Sequence, residues 1–187
     1  MMNGNLHERL DKLRALIQTD DYLEGKGLSN EVNIRIFCYK PEEEMIIRHF
    51  VDQLVLDQNL SCRPRVFNLY HVFLSLCDEM DISEAIDEME ESDGKDFLLE
   101  QLHSAIGEGE FVNTLSYQEY EPGDVLILTG VGQVFPFMRI HKLLEALQPY
   151  FPNTPILVMY PGTFDGRCVK LFGRLQPNDY YRAFTAE

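Results

Sequence analysis

The 187-residue chain has no tryptophan, only four cysteines and no long hydrophobic run. No apolar stretch approaches the roughly 20 residues that a membrane-spanning helix needs. The first residues form a charged amphipathic stretch rather than a basic flank followed by an apolar signal core. The sequence therefore predicts neither a membrane protein nor a secreted one, and we expect a cytoplasmic protein.

The cysteines are too far apart to suggest a metal or redox centre. Cys38, Cys62, Cys77 and Cys168 include no pair two residues apart, the spacing that begins a zinc site or a redox dithiol. We expect four reduced, mostly buried thiols. The sequence predicts no metal and no other cofactor.

Positive charge is also scarce. Sixteen Lys and Arg residues stand against 31 Asp and Glu, a net charge of -15, which opposes attraction to nucleic-acid phosphates or anionic lipid. The imbalance is local: residues 78–100 hold eleven acids and one lysine, a net of -10. From Gln133 onward the balance is +2. We therefore expect an acidic surface and a mildly basic one. The acidic surface is interpreted as a helical face exposed to solvent.

The hydrophobic spacing indicates alternating helices and strands. Leu6, Leu10, Leu13 and Ile17 recur at i, i+4, i+7 and i+11, which predicts an amphipathic helix over about 3–18. Short β-rich or apolar runs predict strands, and Pro41 with the acids after it suits the start of a helix. The predicted strands are 32–39, 65–69, 125–130 and 155–160, and the predicted helices between them include 41–59 and 138–148.

This alternation predicts a single α/β domain over 1–187, with an open, mostly parallel sheet of Rossmann-like or degenerate P-loop-like type. The acidic helices would form an insertion over about 70–120, between the second and third strands. The tail, 168–184, contains β-forming residues and is expected to add short strands at an edge.

None of the turns after these strands matches a phosphate-binding loop. CYKPEEE (38–44) lacks glycine and would place carboxylates where phosphates bind. GKGL (25–28) lacks the upstream glycine and precedes a strand instead of following one. Gly130–Gly132 follows a strand but lacks the third glycine of a dinucleotide fingerprint, and the FPF of 135–137 would crowd a pyrophosphate. A structural turn with close backbone approach is the favoured interpretation.

One spacing imitates a catalytic motif. Cys168 and Arg174 are separated by five residues, as in phosphatases that use a Cys thiolate and an Arg clamp. That chemistry needs a loop leading into a helix whose dipole lowers the thiol pKa, and Pro177 blocks such a helix. A lone His141 is more typical of a hydrogen-bonded structural residue than of a catalytic base. The motif search predicts no catalytic residue.

The C-terminal third carries the richest pattern, YPGTFDG (160–166) and LFGRLQPNDYYRAF (171–184). Tyr and Arg dominate interface energetics, so turns that carry them suggest a binding surface. A buried, salt-bridged edge of the fold explains the same residues equally well. The candidate partner-binding residues are Asp165, Arg174, Asp179, Tyr180, Tyr181 and Arg182, together with Arg139 and His141.

These strings, with LTGVG (128–132) and RIHKLLEALQP (139–149), resemble the BrxB family of bacterial BREX phage-defence systems. ERLDKL (8–13) and the segment from Asp21 to Glu44 resemble the family's opening. The resemblance covers nearly the whole chain and is weakest over about 60–120. Phe164 stands where family members commonly carry Tyr, a change that keeps the ring.

The resemblance implies a non-enzymatic assembly or adaptor subunit that associates with PglZ, a protein of the alkaline phosphatase superfamily, and with other BREX components. It implies no catalytic residues, no membrane contact, and DNA contact only through the complex. Two alternatives stay open at this point. One is an enzyme or sensor that binds a nucleotide or phosphate ligand on the same sheet, and the other is direct DNA contact through the C-terminal arginines.

Overall fold

A computed structural model describes residues 5–25, 33–116, 119–164, 169–173 and 184–185. The helices are α1 (Leu6–Leu16), α2 (Asp20–Leu23), α3 (Glu44–Leu56), α4 (Leu69–Glu79), α5 (Ile86–Asp93), α6 (Lys95–Ala105), α7 (Glu108–Ser116), α8 (Val131–Val134) and α9 (Ile140–Leu147). The strands are β1 (Ile34–Tyr39), β2 (Arg63–Asn68), β3 (Asp124–Thr129), β4 (Ile156–Phe164), β5 (Val169–Leu171) and β6 (Phe184–Thr185). Short 3-10 turns lie at Pro41–Glu43, Ser83–Ala85 and Gln148–Tyr150.

The strands form an open sheet in the order β2-β3-β4-β1-β6, with every neighbouring pair in that path parallel. β5 pairs antiparallel with the end of β4. The predicted single-domain α/β fold with a mostly parallel sheet is confirmed. The short strands expected in the tail are present in the described residues, β5 beside β4 and β6 at the edge beside β1.

Helices cover both faces of the sheet because successive strand residues point to opposite sides. Phe37 and Tyr39 of β1 face the layer that contains α1 and α3, whereas Ile36 and Cys38 face the layer of α4, α6, α7, α8 and α9. The two central strands are hydrophobic on both faces: all of β3 from Val125 to Leu128 is fully buried. Continuous apolar runs are typical of strands enclosed in this way.

The N-terminal helix buries the stripe that its period predicts. Leu13 and Ile17 are fully buried, and Leu6 and Leu10 nearly so. The side chain of Asn5 caps the helix by accepting from the His7 N–H at 3.4 Å. Burial of one such aliphatic side chain stabilises the fold by about 1.5–3 kcal/mol, so α1 is held mainly by packing on the sheet.

Several predicted boundaries differ from the structure, and for two of them the cause is visible. The helix expected over 41–59 ends at Leu56, because Asp57 is extended (φ -81°, ψ 106°) and its carboxylate accepts from the Asn59 N–H at 2.9 Å. The strand expected at 65–69 is Arg63–Asn68. It begins earlier because it pairs along the whole of β3, and it ends where Asn68 becomes the N-cap of α4.

The acidic helices lie between β2 and β3, as predicted, and occupy 69–116. α5 is attached loosely, since it contains no buried residue, and Gly94 (φ +86°) separates it from α6. Cys38, Cys62 and Cys77 are buried, and burial raises the pKa of the Cys62 and Cys77 thiols. Cys168 lies outside the described residues.

Candidate partner-binding surface

The carboxyl ends of parallel strands are where an open α/β sheet normally binds ligands. In this chain the end of β3 is a tight turn at Gly130, whose φ of +71° favours glycine. A Cβ at this position would overlap the Asn68 side chain, lying 2.8 Å from its Cγ. Asn68 is held there because its Oδ1 accepts from the backbone N–H groups of Tyr70 (3.0 Å) and His71 (3.2 Å) at the start of α4. Gly130 therefore leaves room for the side chain of Asn68, which lies at the end of the neighbouring strand β2 and caps α4.

The next glycine of the same turn lies against the chain's own hairpin. A Cβ at Gly132 would be 2.8 Å from Phe172 Cε1 and 3.0 Å from Pro161 Cγ. Phe172 is fixed at this place by its N–H, which donates to the Pro161 carbonyl at 2.9 Å. An aromatic ring and a proline of the chain therefore lie against the turn that a dinucleotide would approach. The close approach expected of this turn is present.

β4 and β5 close the same edge as a hairpin, with Thr163 opposite Lys170 and Phe164 opposite Val169. Gly162 allows the two strands to press together, because a Cβ there would collide with the Lys170 carbonyl and lie 2.8 Å from Tyr160 Cε1. The two strands are therefore tightly packed against each other at the carboxyl end of β4.

The acids after β1 are engaged in local capping. The Lys40 N–H donates to Glu43 Oε2 at 2.8 Å, and Glu44 Oε1 accepts from Arg48 Nε at 2.9 Å. The Tyr39 hydroxyl also donates to Glu44. Burial, with a further contribution from Glu44, raises the pKa of Tyr39. These bonds hold the carboxylates of Glu43 and Glu44 at the carboxyl end of β1.

Two of the predicted partner-binding residues lie in the described part of the chain, both at the start of α9. Arg139 is its exposed N-cap residue, and His141 is half-buried. Burial lowers the pKa of His141, and Arg139 and Lys142 lower it further, against the opposing effect of Glu145 and Glu108. This environment favours the neutral imidazole, which suits a packing or hydrogen-bonding role within a surface of mixed charge.

The other predicted partner-binding residues and Cys168 lie outside the described residues, so their grouping stays a prediction. Their flanks are described: Asp165 and Cys168 stand in the sequence between β4 and β5, and the others stand between Gly173 and β6, which pairs with β1. The residues concerned are Asp165, Arg174, Asp179, Tyr180, Tyr181 and Arg182.

Sequence reasoning missed a charged cluster at the opposite, amino edge of the sheet. Asp124 is only 3% exposed, yet it accepts from Arg63 Nε at 2.8 Å and from the Glu121 N–H at 2.9 Å. Glu121 also pairs with Arg63, at 2.7 Å. The two carboxylates raise the pKa of Arg63. The cluster joins the starts of β2 and β3, and only the EPGD turn before β3 signalled it.

A groove of about 1020 Å³ opens near this amino edge. Its described lining contains the acids Asp20, Glu24 and Glu121, and no Lys or Arg. Negative charge of this kind repels phosphate groups. The groove therefore does not suit a nucleotide.

Neither a metal centre nor a membrane span is found in the described ranges. No three His, Cys, Asp or Glu side chains in 5–25, 33–116, 119–164, 169–173 and 184–185 are grouped so that they could hold a metal ion. Within those same ranges no helix combines the length and the apolar character needed to cross a bilayer.

The similarity to known proteins agrees with the resemblance read from the sequence. The family model described as BREX protein BrxB matches residues 65–186. BREX protein BrxB of Bacillus cereus (strain H3081.97) is 35% identical over 184 residues, which cover 96% of each chain. BREX protein BrxB of Escherichia coli O9:H4 (strain HS) is 27% identical over 98% of this chain and 92% of its own. No solved structure matches the chain. The chain belongs to the BrxB family.

Proposed function

We propose that this chain is a non-catalytic assembly subunit of a BREX phage-defence system and that it binds a PglZ-like protein. The observation that carries the proposal is the contact of Phe172 and Pro161 with Gly132 at the carboxyl edge of the sheet. Ligands of open α/β sheets normally bind at this edge, so side chains of the chain itself at the turn favour a role in binding other proteins over a role in binding a nucleotide. Its relatives are named BREX protein BrxB, which supports a role for this chain together with other proteins of a BREX system.

The proposed contact surface combines the exposed start of α9 with the segment between Gly173 and β6. Arg139 at the N-cap of α9 is exposed, and the chain from Gln133 onward has a net charge of +2 in an otherwise acidic protein. The segment after Gly173 holds two tyrosines and two arginines. These are the residue types that anchor interfaces, and their charge distinguishes this surface from the acidic helices.

The test is recovery of the PglZ-like component when the tagged chain is purified from cells carrying the whole BREX gene cluster. Arg182→Ala is expected to weaken the complex about 30-fold, the effect of losing an anchor worth about 2 kcal/mol. Arg139→Ala tests the α9 part of the surface. Lys12→Ala is the matched control, because Lys12 is an exposed cation on α1, and α1 packs on the opposite face of the sheet from α9.

Cys168→Ser separates this proposal from the enzyme alternative. It is expected to leave both the complex and phage protection unchanged, with each variant's melting temperature as a check on folding. The proposal fails if Cys168→Ser abolishes protection while Arg182→Ala leaves the complex and protection intact. Saturable nucleotide binding by the purified chain in the micromolar range would likewise favour an enzyme or sensor.

A further inference from the structure

The outer face of α3 is unusually apolar for a surface helix. Met45 and Leu56 are 71% and 70% exposed, and Val55 and Ile46 are 55% and 41% exposed. The helix is already anchored on the sheet by its other side, where Ile47, Val51 and Leu54 are buried. Exposed apolar side chains that recur along one helix mark an interaction surface rather than a packing requirement of the fold.

The exposed residues have a regular spacing. Met45, His49, Asp52 and Leu56 recur at i, i+4, i+7 and i+11, so they form one stripe on the side of α3 opposite the buried residues. The two most exposed apolar side chains of α3, Met45 and Leu56, lie at the two ends of this stripe, and the two polar side chains lie between them. The pattern apolar, polar, polar, apolar is the same in chemical type when read in either direction.

A stripe of this kind is complementary to itself when a second copy lies antiparallel to it. A two-fold axis through the middle of α3 brings Met45 of one copy opposite Leu56 of the other, at both ends of the contact. It also brings the His49 imidazole, a hydrogen-bond donor, opposite the Asp52 carboxylate, an acceptor, twice. Ile46 and Val55 then border each apolar pair from opposite sides. Arg48, beside the stripe, is already paired with Glu44 at 2.9 Å within the helix.

We propose that α3 is a docking face for a second copy of this chain, in an antiparallel two-fold arrangement. The thirteen residues of α3 span about 20 Å, so a contact confined to this helix lies at the small end of protein interfaces, where association is weak and reversible. The dimer therefore forms in a concentration-dependent way. This face lies on α3, in the helix layer on the opposite side of the sheet from α9.

Sedimentation velocity of the full chain from about 1 μM to 1 mM tests the proposal. The unaltered chain is expected to shift from monomer to dimer across the series. Leu56→Glu is expected to raise the dissociation constant at least tenfold, because the two-fold axis places the new carboxylate in the contact twice. Leu74→Glu is the matched control, because Leu74 is 40% exposed and lies on α4, in the helix layer on the opposite face of the sheet from α3. The dissociation constant of this variant's dimer should equal that of the unaltered chain.

A charge exchange tests the register. His49→Asp places a carboxylate opposite Asp52 of the other copy and should weaken the dimer, and adding Asp52→Lys should restore it. All of these residues are exposed, so each variant is expected to keep the parent's melting temperature. A chain that stays monomeric throughout the series overturns the proposal, as does a dimer indifferent to Leu56→Glu or equally sensitive to Leu74→Glu. Weakening by His49→Asp that Asp52→Lys does not reverse overturns the antiparallel register.

Discussion

Replacing Gly130 by alanine tests whether the turn after β3 is a structural element. Alanine at a φ of +71° carries a strain of about 1–2 kcal/mol. Its Cβ would also displace the Asn68 side chain, whose loss as a helix cap costs about 1 kcal/mol. The two effects together lower the free energy of unfolding by about 2–3 kcal/mol. For a chain of this size that corresponds to a fall in melting temperature of about 4–12 °C.

The assay is thermal and urea unfolding of the purified chain, followed by circular dichroism. Gly109→Ala is the matched control, because Gly109 lies in α7, where an added Cβ would meet nothing within 4 Å and the backbone has no positive φ. That substitution should leave stability unchanged or raise it by up to about 1 kcal/mol. Equal effects at the two positions would refute the argument, since only Gly130 combines a left-handed backbone with a neighbouring cap. Full stability of Gly130→Ala would do the same.

Two further predictions concern charge. Asp124→Ala should lower the free energy of unfolding, measured by urea denaturation, by about 2 kcal/mol, because the part-buried Glu121 N–H loses its acceptor. Glu121→Gln is the control: it alters a side chain that is 68% exposed, so the free energy of unfolding should change little. The second prediction concerns His141, whose pKa is lowered by burial in the folded chain. Just below pH 6.5 the unfolded chain therefore binds more protons than the folded one, so the folded state loses stability as the pH falls through that region. His141→Gln should therefore reduce the drop in melting temperature between pH 7.5 and 5.5, and an unchanged drop would contradict it.

The elements that the sequence predicted well are those whose burial is one-sided or complete. The i, i+4, i+7 stripe of α1 and the apolar runs of β3 and β4 specify both the element and its environment. The order of the strands was not predictable, because β1 pairs with β4 and not with β2, and no local pattern encodes that choice. The ends of α3 and β2 were missed because the side chains of Asp57 and Asn68 accept hydrogen bonds from backbone N–H groups two or three residues further on.

For the candidate site, the sequence predicted a turn with close backbone approach at Gly130–Gly132, and that close approach is present. The missing third glycine and the acids after β1 argued against a phosphate loop. The contact of Phe172 with Gly132 joins residues forty positions apart and has no signature in either segment. The Arg63–Asp124 pair is hidden for the same reason. Contacts between distant segments depend on the order of the strands in the sheet, and no local sequence pattern specifies that order.

The position of β1 within the sheet has a consequence for how the chain acquires its structure. β1 ends at Tyr39, yet its partners are β4, which begins at Ile156, and β6, which begins at Phe184. During synthesis both edges of β1 stay unpaired until most of the chain has left the ribosome, while β2 and β3 can already associate. Pairing of distant segments is slow, and unpaired strand edges promote aggregation. Truncation before β4 should therefore yield an insoluble product rather than a smaller folded domain.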